Sequence, residues 1–390
     1  MSLSSLHPRP ELAICGGPGP GGEQRALWWS ESAPPPARVV ATDERTTADA
    51  ALRRARSGEG LAWGGDWRNA RQLLAAMGRR LRAPRPRGPG LADLFRAERQ
   101  GKRIEQEVLS RLAVPLGPGW RSPLRHAPSL EAPLSEAFGE GPDRPALMPL
   151  REILGAVGAH EWLRRGVPVP ALGGAVHPRY GVFAPVRGEY VDLVARALSE
   201  RGSRADGWRA FDLGTGTGVL AILLARAGAR VLATDIDPRA VVCARENAAR
   251  FGVGDRVDAV EADLFPPGRA RLIVANPPWI PETPHGPLDR AVYDPGGAVL
   301  TRLIAGLPAH LAEGGEAWLV LSDLAERLGL RPPGALEALF EQAELRVVFT
   351  LEARPTHPRA RDATDPLALA RRSEKTRLYG LTAAIGRTMA

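Results

Sequence analysis

The chain has 390 residues, 44% of them hydrophobic, and a formal net charge of +8, enough length for two domains and a sizeable core. It has no run of 18 apolar residues and no basic start followed by an apolar stretch, so neither a membrane-spanning helix nor a secretory signal is expected, and the reading is a cytoplasmic protein. The two cysteines, Cys15 and Cys243, stand far apart, so reduced thiols are expected rather than a disulfide framework or a metal site. The charge is uneven: residues 45–130 hold 18 Lys/Arg against 7 Asp/Glu, a local +11, which implies an acidic partner for that region.

In chain order, residues 1–40 read as irregular. The run from Gly16 to Gly22 is glycine-rich, but it has no Gly-Lys-Ser/Thr and its prolines remove donors, so it reads as a turn rather than a phosphate cradle. A short strand is expected at 38–41. Thr47 can cap a helix over 47–56. A second helix spans 69–81, with Leu73, Leu74, Met77 and Leu81 on one face. Five arginines in the nine residues from Arg79 to Arg87 end in Gly88-Pro89-Gly90; by composition this is a tether or a phosphate-binding arm. Further helices are expected at 91–112 and 149–165, the latter burying Leu150, Ile153, Leu154, Val157 and Trp162. A hairpin turning at Gly173-Gly174 falls in 167–184, and a helix follows to 201.

From Trp208 onward, apolar strands alternate with helices, the pattern of a parallel sheet. Strands are expected near 209–213, 230–235, 257–261, 271–275, 316–322, 345–350 and 376–382. Helices are expected near 217–228, 238–251, 297–311 and 334–343.

The first of these strands runs into a glycine turn, Asp212-Leu213-Gly214-Thr215-Gly216-Thr217-Gly218. Glycines permit the tight turn and let a ligand approach the backbone. Val219 fills the slot where a dinucleotide fingerprint wants Gly or Ala. Asp212 is a poor neighbour for phosphate but a good one for an ammonium group. The second strand ends in Asp235, which can accept both hydroxyls of a ribose. The third ends near Asp263, which can accept from an adenine amino group, with Leu264 or Phe265 against the ring. The fourth strand ends in Asn276-Pro277-Pro278-Trp279. The prolines cannot continue a ladder, so Asn276 and Trp279 are presented at a strand's carboxyl end. The Asn276 side-chain oxygen and the Pro277 carbonyl can each accept one N–H of a planar NH2 group, and Trp279 offers it a flat face.

With these residues, 208–322 resembles the catalytic domain of class I S-adenosylmethionine-dependent methyltransferases. Asp212, Gly214, Gly216 and Gly218 match the family's first motif, Asp235 its ribose-binding acid and Asp263 its adenine-contacting acid. Asn276, Pro277, Pro278 and Trp279 match the Asn-Pro-Pro-aromatic motif of members that methylate nitrogen, with Trp in place of the usual Tyr or Phe. The release-factor glutamine methyltransferases and the small-domain RNA guanine methyltransferases are the most similar groups. Ala184 to Glu189 loosely resembles the Pro-Arg-Pro-Glu-Thr stretch of the former without matching it, so no role is carried over there. The resemblance implies an α/β fold: a Rossmann-like seven-stranded methyltransferase sheet over 206–390, joined by a hairpin and linking helix at 166–205 to a basic, mainly helical substrate-recognition domain at 41–165.

The expected activity is methyl transfer from S-adenosyl-L-methionine to a planar amino group, with no metal and no membrane partner. A nucleobase of ribosomal or transfer RNA, alone or in a ribonucleoprotein, is favoured by the basic region. A protein glutamine side chain, as in a release factor, is favoured by the motif likeness. A nicotinamide-dependent dehydrogenase is opposed by Val219 and by the Asn276–Trp279 corner. A non-catalytic RNA-binding module is opposed by the intact motifs.

Overall fold

Residues 10–15, 24–81, 88–201, 206–354, 365 and 367–384 are described by a computed structural model. They divide into two units, one within Met1–Arg87 and Arg96–Glu161, the other within Gly88–Phe95 and Trp162–Ala390. No helix among the described residues is long and apolar enough to cross a membrane.

The first unit contains β1 (Glu11–Cys15), β2 (Gln24–Trp28), β3 (Arg38–Thr42), α1 (Ala48–Arg56), β4 (Glu59–Trp63), α2 (Trp67–Leu81), most of α3 (Leu91–Leu109), β5 (Leu112–Leu116), α4 (Glu131–Phe138), β6 (Ala146–Pro149) and most of α5 (Leu150–Arg165). The expected helices are present, and Thr47 caps α1 by accepting the Ala50 N–H. Helices do dominate 41–165, but the irregular 1–40 segment needs correction: it holds β1 and β2, and six strands of the first unit close into a barrel in the order β1-β2-β6-β5-β4-β3. Ala26, Trp28, Val39, Ala62, Ala113 and Leu147 fill it. Its strands are four or five residues long and carry loop-like residues such as Gly60 and Pro115, which mask a strand in sequence. The glycine–proline run at 16–22 lies outside the described residues, as do 82–87 of the arginine stretch; Arg79 and Arg80 lie in the last turn of α2.

On α5, Leu150 and Ile153 are buried, but Trp162 is exposed. A buried place on this helix goes instead to Glu152. Its carboxylate accepts from the Ser30 and Ser32 hydroxyls and the Glu31 N–H, and burial pushes its pKa above the usual range despite those donors.

The second unit opens with an antiparallel hairpin, β7 (Val167–Val169) and β8 (Gly174–Val176), turned at the left-handed Gly173. Then come α6 (Glu189–Glu200), β9 (Arg209–Leu213), α7 (Val219–Arg226), β10 (Arg230–Asp235), α8 (Pro238–Arg250), β11 (Val257–Glu261), β12 (Ala270–Ala275), α9 (Ala298–His310), β13 (Leu311–Ser322), α10 (Leu324–Arg327), α11 (Ala335–Gln342), β14 (Leu345–Ala353), α12 (Ala368–Ser373) and β15 (Thr376–Ala383). The seven strands from β9 form one sheet in the order β11-β10-β9-β12-β13-β15-β14, with β15 antiparallel to both neighbours.

Strand alternation builds two cores. Ala210, Leu272, Val274, Val231 and Trp318 face a cluster with α6, α7 and α8. Phe211, Leu213, Ile273, Ala275 and Leu319 face α9 and α11. A third cluster joins Phe95, at the start of α3, to Ile280, Ala325, Leu328 and Leu367. Trp279 packs against all three clusters.

Asn247 on α8, fully buried, latches the hairpin to the glycine turn. Its amide donates to the Thr217 and His177 carbonyls and accepts the His177 N–H. Removing it leaves buried polar groups without partners, which costs about 1–3 kcal/mol. Asn247→Ala is expected to lower the urea midpoint by that free energy divided by an unchanged denaturant slope, read by far-UV circular dichroism.

Candidate active site

Strand order reverses between β10-β9 and β12-β13, and open α/β sheets bind ligands at the carboxyl ends beside such a switch. Register sets what stands there. Leu213 of β9 pairs with Thr234 of β10 on one side and with Ala275 of β12 on the other. The next residues along, Gly214, Asp235 and Asn276, therefore end three adjacent strands at the same height. At the usual strand spacing, Asp235 and Asn276 stand about 10 Å apart with the glycine turn between them. Asp235 pairs in turn with Glu261, two residues before Asp263.

Gly214, Gly216 and Gly218 all have positive φ, at 70°, 54° and 79°. A Cβ on Gly218 would lie 2.9 Å from the Ala244 Cα on α8, so this glycine is demanded by helix packing. Gly214 and Gly216 border open space, with nothing within 4 Å of an added Cβ. The Gly216 N–H donates to Asp235 Oδ2 and the Thr215 N–H to the Thr234 carbonyl; with two of its donors directed into the protein, the turn is a poor phosphate cradle. Asp212 is buried beneath it. One oxygen, Oδ2, accepts the Thr215 hydroxyl at 2.6 Å and the Ala221 N–H at 3.0 Å. The carboxylate read as an ammonium neighbour thus fastens the turn to the first turn of α7, because strand alternation aims it at the helices. Burial pushes its pKa up to about 7, against the opposing hydrogen bonds from Thr215 and Ala221.

Asp235 Oδ1 accepts the Asp237 N–H and Oδ2 the Gly216 N–H, leaving each oxygen further acceptor capacity. Burial raises its pKa. Beside it, Ile236 is 66% exposed, an apolar side chain the sequence reading passed over; an Ile directly after a strand-end acid was the available signal. Asp263 is half-exposed and pairs with Arg302 of α9 at 2.6 Å. Leu264 has φ 69°, a left-handed conformation costing roughly 1–3 kcal/mol for such a side chain, and its carbonyl accepts the Thr234 hydroxyl. Phe265 stacks on His310 at 4.2 Å, and both it and Leu264 pack against the core beneath α9.

At the end of β12, Pro277 is buried while Asn276, Pro278 and Trp279 are partly exposed. The Trp279 indole N–H donates to Asn276 Oδ1 at 3.1 Å, a contact no sequence pattern announced. The Trp279 and Ile280 N–H groups donate to the Val292 carbonyl, and the Asp294 N–H to that of Ile280. These bonds fasten the 281–297 segment to the corner. Arg331 grips the Trp279 carbonyl at 2.9 Å. Asp294 is buried and accepts the N–H groups of Val299 and Leu300 at the start of α9. Asp323 directly precedes α10, but its side chain makes no cap bond; it accepts the Lys375 N–H and pairs with Arg327.

Comparison with known proteins carries the same assignment. The family described as Methyltransferase small domain matches residues 174–348. A release factor glutamine methyltransferase of Deinococcus radiodurans is 36% identical over 222 residues, covering 53% of this chain and 73% of that protein. The chain belongs to the S-adenosylmethionine-dependent methyltransferases. The release factor glutamine methyltransferase of Cereibacter sphaeroides is 36% identical over 167 residues, 39% of this chain and 57% of that one. The ribosomal RNA small subunit methyltransferase C of Alcanivorax borkumensis is 36% identical over 114 residues, 29% of this chain and 31% of that one. The chain therefore spans less than two thirds of the length of the latter two.

The residues at the switch point fit the methyltransferase cofactor. Asp235 keeps acceptor capacity for a diol, Gly214 and Gly216 leave room beside the turn, and exposed Ile236 offers an apolar face.

Asp212 makes a pH-dependent contribution to stability. Its folded-state pKa lies above its unfolded value, so its contribution is fully present below about pH 4 and is lost as pH rises through about 7. An amide can accept the same two hydrogen bonds without carrying charge. Asp212→Asn is expected to match the wild type in melting temperature at pH 4 and to exceed it increasingly up to pH 8, measured by scanning calorimetry across that range.

Proposed function

We propose that this protein is an N-methyltransferase that acts on the planar amino group of a nucleobase in ribosomal or transfer RNA. The observation carrying the reading is the Asn276–Trp279 corner, one residue past the rung shared with the strand that feeds the glycine turn. S-adenosylmethionine, when bound, supplies an electrophilic methyl on a sulfonium. Asp235 would hold the cofactor's ribose hydroxyls, Asp263 and Leu264 its adenine, and the turn from Gly214 to Gly218 would let it approach the backbone.

An exocyclic amino nitrogen is a poor nucleophile because its lone pair is delocalised into the ring. The corner answers this by position. Asn276 Oδ1 and the Pro277 carbonyl each accept one N–H, turning the lone pair out of the base plane, and proline fixes the second acceptor. Most of the rate then comes from holding the nitrogen in line. No general base is needed beforehand, since the product nitrogen loses its proton easily.

The +11 region at 45–130 supports RNA as the partner, through phosphate contacts. A second reading, transfer to a protein glutamine amide, is supported by the names of the Deinococcus and Cereibacter relatives, since an amide presents the same planar NH2.

Tritiated methyl transfer into fractionated lysate tests these. Label in RNA, with binding that weakens steeply as salt rises, supports the nucleobase reading. Label in a protein band selects the glutamine reading, and label in neither fraction overturns both. Asn276→Ala is expected to bind S-adenosylhomocysteine within twofold of wild type by calorimetry, while transfer falls by about a hundredfold or more; unchanged transfer would remove Asn276 from its role.

A further inference from the structure

The segment before α6, which the sequence reading left without a role, reaches the corner. Arg187 lies with its guanidinium carbon 5.6 Å from the centroid of the Trp279 ring. It is held from two sides. Glu189 Oε1 accepts from Arg187 Nε at 2.8 Å, and Glu374 Oε1 accepts from Nη2 at 3.0 Å. Both carboxylates are themselves buried, at 8% and 4% side-chain exposure. The Ser322 hydroxyl at the end of β13 donates to the same Glu374 oxygen at 2.7 Å. Burial works against the Arg187 charge, but Glu374 and Glu189 outweigh it and hold its pKa above the ordinary arginine value.

Two consequences follow from chemistry alone. An indole N–H can only donate, so its partner on Asn276 must be the amide oxygen and not the NH2. The Trp279 bond thereby fixes which way the Asn276 amide faces and leaves Oδ1 one lone pair for one substrate N–H. In addition, a planar group inserted between Arg187 and the ring would need two stacking distances, about 7 Å in all. At 5.6 Å that face of Trp279 is closed, and any planar acceptor must use the other.

We propose that Arg187, clamped by Glu189 and Glu374, is a positioning residue that holds the Trp279 ring so that its N–H orients the Asn276 acceptor. The proposal rests on the reading of the corner as an amino-group clamp, and it adds a relay, Glu374 to Arg187 to Trp279 to Asn276, that no one stretch of sequence contains. Replacing Trp279 by Phe keeps a ring under Arg187 but removes the donor.

The test needs no methyl acceptor. In 15N-labelled protein the nine tryptophans give indole N–H resonances, and Trp279→Phe assigns the one from Trp279. Arg187→Leu is expected to shift that resonance toward its position in Asn276→Ala and to speed its exchange with water at least tenfold. Arg187→Lys, which keeps the cation, is expected to restore much of the wild-type position. Glu374→Gln leaves Arg187 with Glu189 alone and is expected to shift the resonance the same way by less, which covers the case in which Arg187→Leu does not fold. S-adenosylhomocysteine affinity, by calorimetry, is expected to stay within twofold throughout. An unmoved Trp279 resonance in Arg187→Leu, or in Glu374→Gln should that be the only folded variant, overturns the proposal. So does loss of cofactor affinity alongside the shift, because collapse of the site would then account for it. Absence of methyl transfer in any lysate fraction bears on the proposed function and leaves this result standing.

Discussion

Everything at the candidate site depends on the register of three parallel strands. One rung, Thr234–Leu213–Ala275, sets the level at which β10, β9 and β12 stop. A slip of one residue in any of them would turn its terminal side chain to the opposite face and break the row. The register is enforced from below by two apolar cores of opposite parity, so the hydrophobic effect, which has no direction of its own, ends up placing an acid, a glycine turn and an amide side by side.

The polar groups then do different work according to depth. Asp212, deepest, serves the protein: it accepts from the turn and from α7. Asp235, higher, is shared between the turn and the open side. Asp263, outermost, meets solvent and Arg302. Acids that look equivalent on paper differ because strand alternation and distance from the helices differ at each.

Much of this was legible in the sequence. The seven strands of the second unit's large sheet read clearly because each is an apolar block bounded by turns, and Asp235, Asp263 and the Asn276 corner lie at the ends of such blocks. The barrel of the first unit was hidden, since its short strands pair across long separations and contain Gly60 and Pro115. Trp162 was misplaced because helical spacing gives a face but not how far along the helix that face stays covered: the buried residues of α5 end at Ala156. The Trp279–Asn276 bond and the Arg187 clamp were illegible for another reason: both depend on side-chain direction, and one partner, Glu374, is 187 residues from Arg187. The positive φ of Leu264 leaves no mark in composition at all.

That separation has a temporal side. Glu374 lies two residues before the start of β15, which enters the sheet between β13 and β14. Strands β9 to β13 can pair as the chain lengthens, but the carboxylate that grips Arg187 arrives only when this returning strand is inserted. The carboxylate that clamps Arg187 is thus encoded after every strand that flanks the glycine turn and the corner.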